Sequence, residues 1–282
     1  MTNYLTLTRY LYNKKNVTQS LIISMLDHNP KEAMFWAYEL YHSGFEDYIF
    51  KLMLKIYNMF YIKDNSTLGA FVLKTTDEWR ADKSQDHLLG SIVYTLTCRD
   101  CDGDDYAKQT QPRRRFIIKL KHDDVDIYRT IIMPPTENWK LLRIACVYPI
   151  RKNIREIFEH DTAAIDPEIY NSNAWLYYAV RSPIWEDRVL EFGGMLDDET
   201  QQIIFPDGDD DDTAERFYDH WGYEPDEQHV ETKLKIMGNN WGQTNSETNR
   251  QTSFVDLCAF GVDKIEGTTA LSSLSNTMIF CK

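Results

Sequence analysis

Glycine is scarce in this chain, 12 residues of 282, and no glycine pattern that cradles phosphate is present. There is no G-x-x-x-x-G-K-[ST] loop and no G-x-G-x-x-G turn, so nucleotide chemistry that relies on close backbone approach to phosphate has no support. The G-x-S-x-G elbow and the Cys–His signatures of nucleophilic enzymes are missing as well. Cysteine amounts to five residues, Cys98, Cys101, Cys146, Cys258 and Cys281, an odd number with no regular framework. They read as free thiols of a reducing compartment. The lone C-x-x-C at Cys98 and Cys101 lacks the second pair, or the histidine pair, that would complete a zinc set. No window approaches the roughly 18 consecutive apolar residues of a membrane span. The first residues, "MTNYLTLTRYLYNKKN", lack the apolar core expected of a signal peptide.

Basic charge is also short. There are 31 Lys and Arg against 44 Asp and Glu, a formal charge of −13. A field of that sign repels phosphate backbones and disfavours nucleic acid as a partner. The one compact basic cluster, Arg113, Arg114 and Arg115 with Lys119 and Lys121 close behind, reads as a solvated loop or strand edge.

What is abundant is aromatic and helical. The chain carries 17 Tyr, 13 Phe and 7 Trp, and 43% of it is hydrophobic, enough for a buried core in one large domain or two ordinary ones. "NVTQSLIISMLDHN" sets Val17, Leu21, Met25 and Leu26 on one helical face. In "NPKEAMFWAYELYHSG", Asn29 is a fitting N-cap, Pro30 suits the first helical position, Glu32 completes a capping box and Gly44 closes the helix. "EDYIFKLMLKIYNMFY" places Ile49, Leu52, Met53, Ile56, Tyr57 and Phe60 on one stripe. Loops this short make the helices antiparallel neighbours. A further helix covers "DHLLGSIVYTLT", "RRFIIKL" reads as a strand, and "HDDVDIYRTII" and "ENWKLLRIACVYPI" read as short helices. "MLDDETQQIIF" reads as a hairpin turning at Asp197 to Thr200, and "DTAERFYDHWGY" as a helix.

The acidic run Asp207, Asp209, Asp210, Asp211 and Asp212 lacks the alternating spacing and terminal glutamate of a calcium loop, and suits the positive end of the following helix. Glu224 to Gln228, with Asp219, His220 and His229 nearby, has no ligand spacing of its own. No metal ligand, catalytic residue or cofactor-binding residue is assigned from the sequence.

"SPIWEDRVLEFGG", residues 182–194, admits two readings. As a helix it has Ser182 at the N-cap, Pro183 at the first position, acids in the first turn and Gly193 at the stop. Trp185, Val189 and Phe192 then share one side, and Ile184, Arg188 and Glu191 the other. The same stretch is similar to a segment of the cap-binding translation initiation factor. That resemblance implies base stacking on Trp185 and recognition of the base's N–H groups by Glu186, chemistry that suits a cationic base. The family's phosphate-binding basic residues are replaced here by the acidic run, and Trp36, Trp79, Trp139 and Trp175 are the upstream tryptophans from which a second stacking partner would have to come. A broader resemblance joins "SLIISMLDHNPKEAMFWAYELYHSGFEDYIF", "SPIWEDR" and "FYDHWGYEPDEQ" to a family of uncharacterised proteins of giant, large nucleocytoplasmic DNA viruses. It implies action in a host cytoplasm or a virion, and carries no catalytic residues.

The expectation is therefore a mainly α fold with a minor β element (α+β). An N-terminal antiparallel helical bundle at residues 1–100 precedes a second, mostly helical part at 113–282 with acidic loops. The expected function is non-enzymatic, through contact with a protein partner, without a membrane or a cofactor. The alternative is a nucleotide or mRNA-cap binder in a viral translation or replication complex, built on Trp185 and Glu186.

Overall fold

The computed structural model describes residues 5–101, 116–129, 174–206 and 213–221. Over these described residues the fold is mainly helical with one small two-stranded antiparallel sheet, the architecture the sequence patterning predicts. Arg113 to Arg115, Trp139, the helix over 137–150, the acidic run at 207–212, residues 224–228, His229 and the C-terminal segment 239–282 lie outside the described residues, as do Cys146, Cys258 and Cys281.

Helix α1 (Lys14–Leu26) is the central element. It is buried from Asn16 to Leu26 around its whole circumference, not on one face as the period of Val17, Leu21 and Met25 implies. A helix enclosed on all sides has no solvent face to keep polar. Asn13 caps it by accepting from the Lys15 amide at 2.9 Å. Helix α2 (Pro30–Tyr41) packs along α1 and starts as expected. Asn29 Oδ1 accepts from the Glu32 amide (3.3 Å), while Asn29 Nδ2 donates to Glu32 Oε2 (3.0 Å), so the reciprocal contact is side chain to side chain. Glu32 Oε1 also accepts from Trp36 Nε1 at 3.2 Å, which draws the carboxylate into the core.

Gly44 ends the connection to α3 (Glu46–Ile56) with φ +88°, a left-handed conformation that costs L side chains about 1–2 kcal/mol. A Cβ at Gly44 would also stand 2.5 Å from Pro183 Cβ, so two separate demands fall on this glycine. The amphipathic stripe expected to continue through Phe60 does keep Tyr57 and Phe60 buried, but the backbone widens into a π-helical turn at Tyr57–Tyr61.

Helix α4 (Leu68–Ala81) is not anticipated from sequence; half its length faces solvent, and two of its five buried residues, Thr75 and Thr76, are polar. Trp79 anchors it, stacked on Phe50 with centroids 4.2 Å apart and donating Nε1–H to the Tyr41 hydroxyl at 3.1 Å. Helix α5 (His87–Thr97) then closes against α2, α1 and α4.

The segment read as a strand at 114–120 forms no ladder over its described residues, 116–120. Its backbone docks on α5 side chains instead. The Ile118 amide donates to Thr95 Oγ1 (3.0 Å) and the Leu120 amide to Ser91 Oγ (2.9 Å). Gly90 makes room for it, since a Cβ there would lie 2.8 Å from Leu120 Cδ1 and from the Tyr38 hydroxyl. A 3₁₀ turn (His122–Val125) and the short helix α6 (Asp126–Arg129) follow, in line with the helical reading of this stretch.

Helices α7 (Ala174–Ala179) and α8 (Pro183–Glu191) join the same core. The Leu7 amide donates to the Tyr178 carbonyl (3.5 Å), and the Ile184 amide to the Ser43 carbonyl (3.4 Å). The hairpin pairs β1 (Met195–Asp197) with β2 (Gln202–Ile204), Met195 opposite Ile204. Its turn lies one residue later than expected, with Gln201 at φ +56°. Asp197 organises it by accepting from the Glu199 amide and the Thr200 hydroxyl. Helix α9 (Thr213–Trp221) buries Phe217. Buried side chains from Leu7 to Phe217 form one continuous cluster.

Candidate functional site

Two places matter: the tryptophan singled out by the sequence, and a polar knot that the sequence does not announce.

Trp185 lies in α8, as the helical reading has it, fully buried. Its Nε1–H donates to the Thr8 carbonyl at 3.1 Å, and its ring meets Trp175 edge to face at 5.3 Å. The Arg188 guanidinium sits over the Trp185 ring at 4.4 Å and over Trp221 at 4.0 Å. The ring's attraction for a cation is thus already met by a cation of the same chain. Arg188 is consequently buried, not on the outward side where helical spacing alone would put it, because Trp221 closes over it. Glu186, the next residue, is exposed. The structure therefore separates the two residues of the cap-binding reading, one inside and one outside. Ser182 holds the N-cap position, yet its hydroxyl turns back to donate to the Ala179 carbonyl at 2.9 Å and makes no capping bond. Among the upstream candidates, Trp36, Trp79 and Trp175 are all buried. Cys98 is half-buried and Cys101 is buried.

The polar knot is assembled at the meeting of the N-terminal segment, α2, the start of α5 and α6. Arg9, buried, donates from Nε to Glu39 Oε2 at 3.0 Å, and Glu39 Oε1 accepts the Tyr10 amide at 3.0 Å. Ser43 Oγ takes the Arg9 amide (2.8 Å) and donates to the Glu39 carbonyl (2.5 Å). Arg9 reaches onward to the carbonyls of Tyr128 (2.8 Å) and Arg129 (3.4 Å), satisfying the end of α6. Burial pushes the Glu39 carboxyl up, while Arg9 and its hydrogen-bond donors pull it down.

The second half of the knot centres on Asp86, just before α5. Arg129 grips its carboxylate with both branches, Nε to Oδ2 and Nη2 to Oδ1, each at 2.6 Å, and also bonds Asp126. Burial raises the Asp86 carboxyl and the Arg129 hydrogen bonds outweigh that, leaving it below the ordinary value. Tyr38 donates to the Asp86 carbonyl at 3.0 Å and is stacked between Tyr128 (4.9 Å) and His42 (5.6 Å). Burial, with Arg9 nearby, lowers His42 to about 3, so its ring is neutral throughout the physiological range. His122 Nδ1 approaches Asp86 Oδ1 at 3.6 Å, and the His87 and His122 rings meet edge to face at 5.6 Å. Burial and the neighbouring His122 lower the His87 pKa.

One ligand atom each from Asp86, His87 and His122 falls within 4.8 Å of the others, the donor types a divalent transition metal takes. Neither histidine is near the other in sequence, and the set exists because the 116–129 segment lies back along α5. The one sequence signal was the Asp–His pair at 86–87, which nothing ties to His122 until that segment is placed.

In comparisons with protein-family models, curated proteins and solved structures, nothing matches the chain. No helix among the described residues is long and apolar enough to cross a membrane.

Proposed function

We propose that the protein acts without catalysis, as an adaptor or structural component that binds another protein, in a host cytoplasm or within a virion. The viral setting rests on the resemblance of residues 20–50, 182–188 and 217–228. The observation that carries the binding role is the outer face of the hairpin. Met195 and Ile204, directly paired across the strands, are 66% and 49% exposed, while Ile203 on the inner face packs on the core. A strand pair that keeps an apolar couple exposed, and has no third strand paired to it among the described residues, offers side-chain contact and backbone pairing to a second chain. A charge of −13 favours a partner with a basic rim around an apolar stripe.

The chemistry elsewhere fits the same reading. Asp86 is clamped on both oxygens by an arginine, and Glu39 is buried in an ion pair, so neither carboxylate is poised to exchange a proton with a substrate.

The test is affinity capture from infected cells, comparing the natural chain with a Met195→Asp, Ile204→Asp variant. Both positions are exposed, so the variant retains its thermal transition. Proteins captured by the natural chain and lost from the variant support the reading, whereas an unchanged set overturns it. Titration with a methylated cap analogue, followed by tryptophan fluorescence, is the second arm. Saturable quenching abolished by Trp185→Phe overturns the proposal in favour of a cap binder.

A further inference from the structure

We propose that Asp86, His87 and His122 form a binding site for one divalent transition metal of the zinc class, clamping the 116–129 segment onto the start of α5. The inference stands apart from the partner-binding role and does not depend on it.

Distances support it first. Two ligand atoms each about 2.0–2.1 Å from a tetrahedral zinc lie about 3.4 Å apart. His122 Nδ1 and Asp86 Oδ1 already stand at 3.6 Å, close to one edge of that tetrahedron. The whole set falls within 4.8 Å, a span that side-chain rotation closes. His122 is the member free to move, its side chain being 57% exposed. His87 Nδ1 is a buried nitrogen with no hydrogen-bond partner, a donor site that a metal ion would satisfy.

The electrostatics pull both ways. Arg129 places positive charge against Asp86, and the start of α5 adds its dipole, so affinity is lower than for an all-anionic cage. Arg129 nonetheless uses one lone pair on each carboxylate oxygen and leaves a second on each. It therefore serves as the outer partner that fixes the carboxylate's orientation, a role common around metal ligands. Three protein ligands leave a fourth position open toward solvent, beside exposed His122.

The experiment uses the full chain, freed of metal by chelation. Zinc is titrated in competition with a chromogenic chelator, and cobalt(II) binding is followed by visible absorption, in the natural chain and in His122→Ala and His122→Cys. The expected result is one equivalent bound, with nitrogen- and oxygen-type cobalt bands and no thiolate charge transfer. His122→Ala weakens binding at least about tenfold, and His122→Cys restores it with a new thiolate band. The exposed position leaves the circular dichroism spectrum of both variants unchanged. No stoichiometric binding overturns the proposal, and so does zinc affinity unaltered in His122→Ala, which would place the metal elsewhere.

Discussion

Arg9 and Glu39 show how much a single buried pair weighs compared with an exposed one. Their side chains are 5% and 0% exposed, and the Glu39 carboxylate accepts from Arg9 and from the Tyr10 amide, both in the N-terminal segment. Glu39→Ala strands the guanidinium in the core and is expected to cost about 3–5 kcal/mol in urea unfolding. The Lys74–Glu78 pair on α4 has the same charges at 3.6 Å, with side chains 79% and 49% exposed. Glu78→Ala is expected to change stability by less than about 1 kcal/mol in the same measurement, since water screens what it removes. At this scale the sequence is a poor guide, because an arginine and a glutamate thirty residues apart carry no mark of which solvent they will meet.

At the scale of elements, the junction of α2 with α8 depends on Gly44. Its left-handed φ and the approach of Pro183 together predict that Gly44→Ala loses about 1–2 kcal/mol to conformation and about 1–3 more to overlap. Gly193→Ala is the control. It shares a positive φ (+72°), but the nearest atom to its Cβ is Pro206 Cγ at 3.3 Å. The Gly44 variant should therefore unfold at the lower urea concentration. Helix ends of this kind were readable in advance: Asn29, Pro30 and Gly44 punctuate α2, and Pro183 and Gly193 punctuate α8, because capping chemistry is local. Helix α4 and the 116–120 segment were not. The first docks through Leu68, Val72 and Trp79, the last stacked on Phe50, and the second takes its hydrogen bonds from Thr95 and Ser91 instead of a neighbouring strand.

The whole molecule should record the buried histidine in its response to acid. His42 faces Arg9 and Arg129 as well as Asp86, beneath the Tyr38 ring, and its pKa is about 3 in the fold against 6.5 when unfolded. Between those values the unfolded chain binds a proton that the folded one refuses, so stability falls as pH drops from 6.5 towards 3. The Asp86 carboxyl, held below its ordinary value, adds a loss at the lowest pH, as its Arg129 pairing is protonated away. His42→Phe keeps a ring on Tyr38 and has nothing to titrate. Its unfolding free energy is expected to vary less between pH 6.5 and 4 than that of the natural chain, with denaturant melts at each pH as the check.

The mainly helical class, helices α1, α2, α3 and α5 and the helix under Trp185 were determined by the sequence itself, since period, caps and stops act within a few residues. Only the tertiary structure decided what those helices do with their chemistry. It enclosed α1 on every side and put Arg188 against Trp185 and Trp221. It also folded the 116–129 segment back so that His122 meets Asp86 and His87. Such meetings join residues up to 177 positions apart, as Thr8 and Trp185 are. They are settled by which surfaces find one another in the packed core, and a pattern of a few residues holds no information about that.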